Sequence, residues 1–166
     1  MKSIALILIA SVLTGLISCS HNSPEINKLQ NRIDNLETKL AKSYKPGFGE
    51  MMNSIQSHHL KLWYAGLNKN WKLAEFEVKE FGEVVENIGK FQSERKETEL
   101  INMMEPALDS LLTAIGKQDG EMFVESYTGL TNSCNSCHRL TDFEFNRVKV
   151  PDGKSPFMNQ DFKPEK

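Results

Sequence analysis

The feature that most restricts the fold is the spacing of apolar residues between positions 48 and 140. Apolar side chains recur there at intervals of three and four residues, and no long stretch alternates between apolar and polar residues. Intervals of three and four place side chains on one face of an α-helix, whereas a half-buried strand needs strict alternation. The sequence therefore predicts an all-α fold.

Four amphipathic helices are predicted in this region. The first covers Phe48–Leu67, and the second begins after Asn70, a suitable N-cap residue, and runs through WKLAEFEVKEFGEVVENIGKF. The third covers about Thr98–Lys117, and the fourth, for which Asp119 is a suitable N-cap residue, runs from Gly120 to about Leu140. Four such helices of about 20 residues with short connections predict an antiparallel up-and-down four-helix bundle over residues 48–140.

Pro106 lies inside the third predicted helix. Because proline has no backbone N–H, this helix either kinks at Pro106 or begins near Glu105, and the sequence leaves both open. After the fourth helix, residues 141–166 contain three prolines and no helical period, which predicts an irregular tail that packs on the bundle. Its apolar side chains could fold it back over an apolar group: Phe143, Phe145, Val148 and Phe157.

Residues 19–47 precede the bundle and form a separate tether and helix. A polar stretch, SHNSPE, leads into a predicted helix in which Ser23 is the N-cap and Pro24 lies in the first turn. The apolar residues of this helix follow a heptad pattern: Ile26, Leu29, Ile33, Leu36 and Leu40. Such a seam suits a stalk helix, an arm folded on the bundle or a contact in a homo-oligomer, and the pattern leaves all three open.

The charge composition of the chain limits the classes of binding partner that we expect. Its 166 residues include 20 basic and 22 acidic ones, for a net charge of −2, and no long block of like charge occurs. A nucleic-acid-binding surface is basic, so we expect no nucleic-acid partner. The length suits one domain with one core.

The first 18 residues have the pattern of a secretory signal peptide, with a lysine at position 2, a short apolar run and small residues before Cys19. The quartet LISC at positions 16–19 resembles the lipobox of bacterial lipoproteins, in which the cysteine becomes the acylated first residue of the mature chain. The alternative is an ordinary signal peptide with a chance cysteine. We therefore expect an exported lipoprotein, anchored through Cys19 at the periplasmic or outer-membrane face of the bacterial cell envelope.

The pentapeptide CNSCH at positions 134–138 is the strongest chemical signal in the chain. A C-x-x-C pair can form a redox disulfide, contribute to a zinc site or, when a histidine follows, attach haem covalently. Residues 134 and 137 lie nearly one helical turn apart on one face, so both sulfurs can reach neighbouring vinyl groups of one porphyrin. His138 then follows beside the second sulfur as a ligand for the iron.

The other two chemistries lack support in the sequence. A structural zinc site needs four ligands, and the remaining histidines, His21, His58 and His59, are far from any second cysteine pair. A thioredoxin-like pair usually lies at a helix N-terminus within alternating strands and helices, whereas this pair lies near a helix C-terminus in an all-helical chain. We therefore expect one covalent haem c on Cys134 and Cys137, with His138 as the proximal ligand.

A C-x-x-C-H near the end of the last helix of a four-helix bundle resembles the cytochrome c′ family, and the resemblance covers about Phe48–Leu140. In that family an apolar side chain occupies the sixth side of the iron, which leaves the iron five-coordinate and open to small gases. The stretches HHLKLWYAG, NWKLAEFE and SPFMNQDF are also similar to uncharacterised exported bundle proteins that carry the same attachment motif. The heptad arm, the lipid anchor and the long tail depart from cytochrome c′.

Residue counting identifies the side chains opposite His138. If Leu67 lies level with Gly120 in an antiparallel bundle, positions 134–138 lie level with about positions 53–49. Met52 is then the first candidate for a sixth iron ligand, and either Met52 or Ile55 could instead block that side. His59 is an alternative distal ligand on the same stripe, although a hydrogen-bonded core histidine is the simpler interpretation, and His58 is expected nearer to solvent.

The expected function is one-electron transfer to a redox partner protein in the cell envelope. Binding or sensing of a small gas such as nitric oxide is the first alternative, and a redox protein without haem, using the C-x-x-C pair, is the second. No acid, base or second metal is placed near the motif by the sequence, so we do not expect an enzyme. Trp63, Tyr64 and Trp71 are expected to pack at the opposite end of the bundle.

Overall fold

The computed structural model describes residues 24–43, 46–153 and 160–164, and within these ranges the fold is all-helical, without strands. The predicted signal peptide, Cys19, the Ser23 cap and Phe157 lie outside the described residues. Six helices are described: α1 Pro24–Ser43, α2 Phe48–Leu67, α3 Trp71–Phe91, α4 Lys96–Glu99, α5 Glu105–Gly116 and α6 Gly120–Leu140. None of them is both long enough and apolar enough to cross a membrane.

The chain separates into two compact units, divided between residues 45 and 46. The first unit contributes α1 to the described structure, and the apolar heptad residues of this helix are exposed. The second unit holds α2 to α6 and the tail. Its four long helices contact one another in a cycle, since α2 packs on α3, α3 on α5, α5 on α6, and α6 on α2.

Two helix–helix connections in the second unit share one backbone arrangement, in which a left-handed residue is followed by the N-cap of the next helix. At the end of α2, Lys69 adopts a left-handed conformation (φ 55°), and the next residue, Asn70, caps α3 by accepting a hydrogen bond from Leu73 N at 3.2 Å. At the end of α5, Gln118 has φ 54° and Asp119 caps α6. A left-handed residue ends a helix and a polar side chain starts the next, so each predicted cap and boundary is confirmed.

The third predicted helix differs from the expectation. In place of one helix over Thr98–Lys117, the chain forms α4, a 3₁₀ turn over Ile101–Met104 and then α5. Pro106 lies in the first turn of α5, where its missing N–H costs no hydrogen bond. The sequence allowed either a helix kink or a helix start at this proline, and the structure shows a helix start.

The interior of the second unit is apolar and aromatic. Its largest fully buried side chains include Leu62, Phe81, Ile88, Leu111, Phe123 and Tyr127. A Cβ atom added to Gly66 would lie 2.2 Å from the Phe123 ring, so glycine is what allows α2 this close to that ring. Trp63 and Trp71 pack around the same ring, as expected for this end of the unit.

The tail packs on the helices, but not through all the residues expected. Tyr64 donates a hydrogen bond to the carbonyl oxygen of Gly153 at 2.8 Å, and the buried Phe162 lies against the Tyr64 ring. Phe145, which was expected to help cover an apolar group, is 79% exposed, and its ring contacts only that of Phe143 among the described rings. Phe143 and Val148 of the expected set line the cavity beside the motif, whereas Phe162 packs on Tyr64 of α2.

Candidate functional site

One cavity in the second unit collects every described residue that the sequence singled out for chemistry. Its volume is about 340 Å³, within the range of about 300–1,000 Å³ for small-molecule sites. Six predicted site residues line it: Met52, Ile55, His59, Cys134, Cys137 and His138. Residue counting along the two helices placed these parts of α2 and α6 at the same level, and their side chains line the same cavity.

The two thiols of the motif are buried and unpaired. Cys134 is 6% exposed and Cys137 is 5% exposed, and neither forms a disulfide. The Cys134 thiol lies 3.9 Å from the Met104 sulfur and donates a weak hydrogen bond to it. Burial raises the pKa of Cys134 to about 12, and burial together with the Glu97 carboxylate raises the pKa of Cys137. Both groups are therefore neutral thiols at physiological pH.

The ring of His138 is oriented by the tail. Its Nδ1 lies 2.6 Å from the carbonyl oxygen of Asn146, and a carbonyl oxygen can only accept a hydrogen bond. Nδ1 must therefore carry the proton, which leaves the lone pair of a neutral ring on Nε2. Histidine ligands of metals commonly have this arrangement, with one nitrogen donating to a backbone carbonyl and the other free to bind.

Asn135, inside the attachment motif, holds the same part of the tail. Its side-chain amide donates to the carbonyl oxygen of Val148 at 2.8 Å, and its side-chain oxygen accepts from Val148 N at 2.9 Å. We define residues 146–148 as the strap. Three hydrogen bonds hold it on α6, two between Asn135 and Val148 and one between His138 and Asn146. Sequence reasoning missed this residue, because the two central positions of a C-x-x-C motif carry no pattern of their own.

His59 is buried and fully hydrogen-bonded. The Thr131 hydroxyl donates to the carbonyl oxygen of Tyr127, so its oxygen accepts from Nε2–H of His59 at 3.0 Å. The other ring nitrogen, Nδ1, lies 2.9 Å from the Tyr127 hydroxyl, which also donates to the backbone carbonyl oxygen of His59 at 2.8 Å. Burial lowers the pKa of His59 to about 4, so the ring is neutral. Both of its nitrogens are occupied, as expected of a core histidine.

Met52 and Ile55 lie on the α2 side of the cavity. Ile55 is buried, and Met52 is partly buried. Met51, the residue before Met52, is buried in the core but does not line the cavity. Counting therefore identified the methionine beside the cavity, although Met51 is the more buried of the two.

A charged pair that the sequence did not reveal lies at the cavity. Glu97 lines it and accepts a hydrogen bond from Arg95 at 2.6 Å, and this bond lowers the pKa of the Glu97 carboxyl. The Arg95 guanidinium also lies 4.5 Å from the centre of the Phe48 ring. Both residues belong to the polar stretch QSERKE at positions 92–97, whose composition by itself indicates only a turn.

His58 lies nearer to solvent than His59, as expected, but its ring is hydrogen-bonded to a carboxylate. Its side chain is 16% exposed, and its Nδ1 lies 2.7 Å from Oε2 of Glu77, whose side chain is only 2% exposed. His58 therefore covers a buried carboxylate of α3. The periodicity of α2 could not show this, because the reason for it is an acidic residue on the inward face of the neighbouring helix.

No family model, curated protein or solved structure matches this chain. Among the described residues, no group of three or more His, Cys, Asp and Glu side chains could hold a metal ion.

Proposed function

We propose that this protein is an exported monohaem c-type cytochrome that transfers single electrons in the cell envelope. The observation that carries the proposal is the shared cavity, because both thiols and the histidine of the attachment motif open into one space with the candidate distal residues. A pentapeptide matched by chance would not need a cavity beside it.

The haem-binding unit is proposed to be an antiparallel up-and-down four-helix bundle over residues 48–140, like that of cytochrome c′. The cyclic packing of α2, α3, α5 and α6 supports this arrangement. The α2–α3 and α5–α6 connections, with their left-handed residues and immediate caps, are short enough to join antiparallel neighbours.

The residues at the cavity fit the demands of covalent haem. Cys134 and Cys137 would hold the haem through two thioethers, because addition of a neutral S–H across a vinyl double bond would need no net oxidant or reductant. His138 offers Nε2 to the iron, while Asn146 retains the proton on Nδ1. Porphyrin iron needs only one or two protein ligands, which suits a site with a single available histidine. When bound, the haem supplies the one-electron couple, and the protein supplies its orientation and an apolar surrounding.

The thiol environment disfavours a redox disulfide as the function of the C-x-x-C pair. Thiol–disulfide exchange proceeds through the thiolate, and reactive pairs lie in electropositive surroundings at helix N-termini. Here both thiols are buried near the C-terminus of α6, where burial raises the pKa of each. These thiols suit covalent modification during maturation better than repeated redox cycling.

Met52 is the proposed sixth ligand, because a thioether on the distal side raises the reduction potential and suits electron transfer. Ligation by His59 would require breaking its hydrogen bond to Thr131 or to Tyr127. A second function, binding of a small gas such as nitric oxide, is favoured by Ile55, an apolar residue buried at the same side of the cavity. With Ile55 or Met52 only blocking that side, the iron would be five-coordinate and open to a gas.

The membrane anchor is proposed to be lipid on Cys19, which would place the haem unit at a membrane surface of the cell envelope. Cys19→Ser should release the protein into the soluble fraction of fractionated cells. Retention of this variant in the membrane would contradict lipidation. The partner would be a redox protein or a small gas; the near-balanced charge offers no basis for a nucleic-acid partner, and no catalytic activity is proposed.

The decisive experiment is expression in a host with c-type maturation machinery, followed by mass spectrometry and visible spectroscopy. The mature chain should gain the mass of one haem and give the absorption spectrum of a haem with two thioether bonds. A Cys134→Ser, Cys137→Ser double variant should lack covalent haem, and Ser133→Ala on the same helix is the matched control. A wild-type chain that carries no additional mass would overturn the proposal.

A further inference from the structure

We propose that α1 pairs with α1 of a second copy of this chain in a parallel two-stranded coiled coil. The inference concerns the first unit alone and does not depend on haem. Its starting point is the apolar seam of α1, whose five residues are between 47% and 69% exposed: Ile26, Leu29, Ile33, Leu36 and Leu40. Alternating intervals of three and four put them at positions a and d of a heptad, the positions that face a partner helix.

The residue types at these positions select two parallel strands. Ile26 and Ile33 occupy position a, and Leu29 and Leu36 occupy position d. β-Branched residues at a with leucine at d favour the parallel dimer over trimers and tetramers, because each side chain then fits the packing angle at its own layer. Leu40 adds a final layer at position a.

The charges beside the seam favour the same partner. Arg32 is at position g and Glu37 at the following position e, so in a parallel, in-register dimer Arg32 of each copy faces Glu37 of the other. Within α1, no acidic residue lies three or four positions from Arg32, and no basic residue lies three or four positions from Glu37. The described structure accordingly records no ion pair for Arg32 or Glu37. A second copy supplies the partner that each of them lacks.

The antiparallel alternative is opposed by charge. Two antiparallel registers keep four seam residues in layers: one pairs Leu29 with Leu40 and Ile33 with Leu36, and the other pairs Ile26 with Leu36 and Leu29 with Ile33. The first sets Arg32 of each copy beside Lys39 of the other, and the second sets the two Arg32 side chains against each other while pairing Glu25 with Lys39. In neither register does Arg32 meet an acidic residue, whereas the parallel pair gives it Glu37.

Disulfide trapping in the full-length protein, in its native membranes, tests the proposal. With Leu29→Cys, mild oxidation should give a covalent dimer on a non-reducing gel, because position 29 meets itself only in a parallel, in-register pair. The matched control is Asn31→Cys, at position f on the opposite face of α1, which should stay at the background of the wild-type chain. The wild-type chain also reports any cross-linking by its own cysteines.

Two further outcomes would overturn the proposal. If Leu29→Cys does not cross-link alone but does so when co-expressed with Leu40→Cys or with Ile33→Cys, the helices are antiparallel. If no seam cysteine cross-links in either experiment, α1 stands alone or packs on its own chain. Because these readouts come from α1, the haem-free double variant Cys134→Ser, Cys137→Ser should cross-link through Leu29→Cys just as the haem-loaded protein does.

A charge reversal supplies the second measurement. In the Leu29→Cys background, Arg32→Glu sets two glutamates against each other, and Glu37→Arg sets two arginines against each other, so each should lower the cross-linked fraction severalfold. Combining the two substitutions restores opposite charges and should restore most of the yield. Equal yields in all four proteins would contradict the Arg32–Glu37 contact.

Discussion

The side-chain amide of Asn135 makes both of its hydrogen bonds to the backbone of Val148. This pair fixes the strap at residues 146–148, and the strap in turn provides the carbonyl oxygen that accepts the Nδ1 proton of His138. The orientation of the proposed proximal ligand is thus determined by a residue of the attachment motif and by a segment outside the four-helix region.

Asn135→Ala should therefore weaken the strap and loosen His138. Loss of the two hydrogen bonds is expected to lower the free energy of unfolding by about 1–3 kcal/mol, measured by urea denaturation of the haem-loaded protein. The reduction potential should rise, because a histidine that donates less strongly to a carbonyl is a less basic ligand. Asn132→Ala, at an exposed position of α6, is the matched control. If the two variants behave alike in both measurements, the strap does not position His138.

Gly66→Ala tests the close approach of α2 to Phe123. The added methyl group would lie 2.2 Å from the ring, so the ring or the helix must move, and overpacking of this kind costs about 1–3 kcal/mol of unfolding free energy. Gly82→Ala is the control, because it too lies within a helix but a Cβ atom there meets nothing within 4 Å. That substitution should stabilise the protein by about 0.5–1 kcal/mol through helix propensity. A stabilising Gly66→Ala would contradict the packing described.

The caps and the motif were predictable because their chemistry is local. Asn70 and Asp119 each act on the first turn of the helix they precede, so a short stretch of sequence contains the whole interaction. The meeting of Met52 with the motif residues could also be anticipated, since matched helix lengths and short connections fix the level of one helix against another.

Other parts of the site depend on contacts that no local pattern records. Glu97 lines the cavity from α4, a four-residue helix that the sequence did not predict. His58 turns inward toward Glu77, whose carboxylate is buried on α3. The tail has no period at all, so the bond from His138 to Asn146 could not be inferred from spacing.

Met52→Leu distinguishes electron transfer from gas binding. Leucine retains nearly the volume of methionine but has no sulfur, so packing should change little. If Met52 is the sixth ligand, the ferric protein should lose its low-spin spectrum and the weak long-wavelength charge-transfer band of methionine ligation, and its reduction potential should fall. Ile55→Leu is the control that retains Met52. An unchanged low-spin spectrum in Met52→Leu would exclude Met52 as the ligand, and a wild-type protein that is already high-spin and shifts on adding nitric oxide would favour the gas-binding function.

His59 should make the stability of the protein depend on pH. Burial lowers its pKa in the folded state to about 4 from 6.5, so between these values the unfolded chain binds a proton that the folded chain does not. The contribution of His59 to the free energy of unfolding therefore has its full value above about pH 6.5 and decreases as the pH falls toward 4. The difference of about 2.5 pKa units corresponds to about 3 kcal/mol.

The measurement is the free energy of unfolding in urea at a series of pH values, for the haem-loaded wild type and for His59→Gln. Glutamine can keep a hydrogen bond to Thr131 or Tyr127 but does not titrate, so the variant should lack the part of the slope that His59 supplies between pH 4 and 6.5. Subtracting the two curves removes the carboxyl groups that titrate in the same range. Parallel curves would mean that His59 is protonated alike in the folded and unfolded states, and the neutral, hydrogen-bonded ring described beside the cavity would then be wrong.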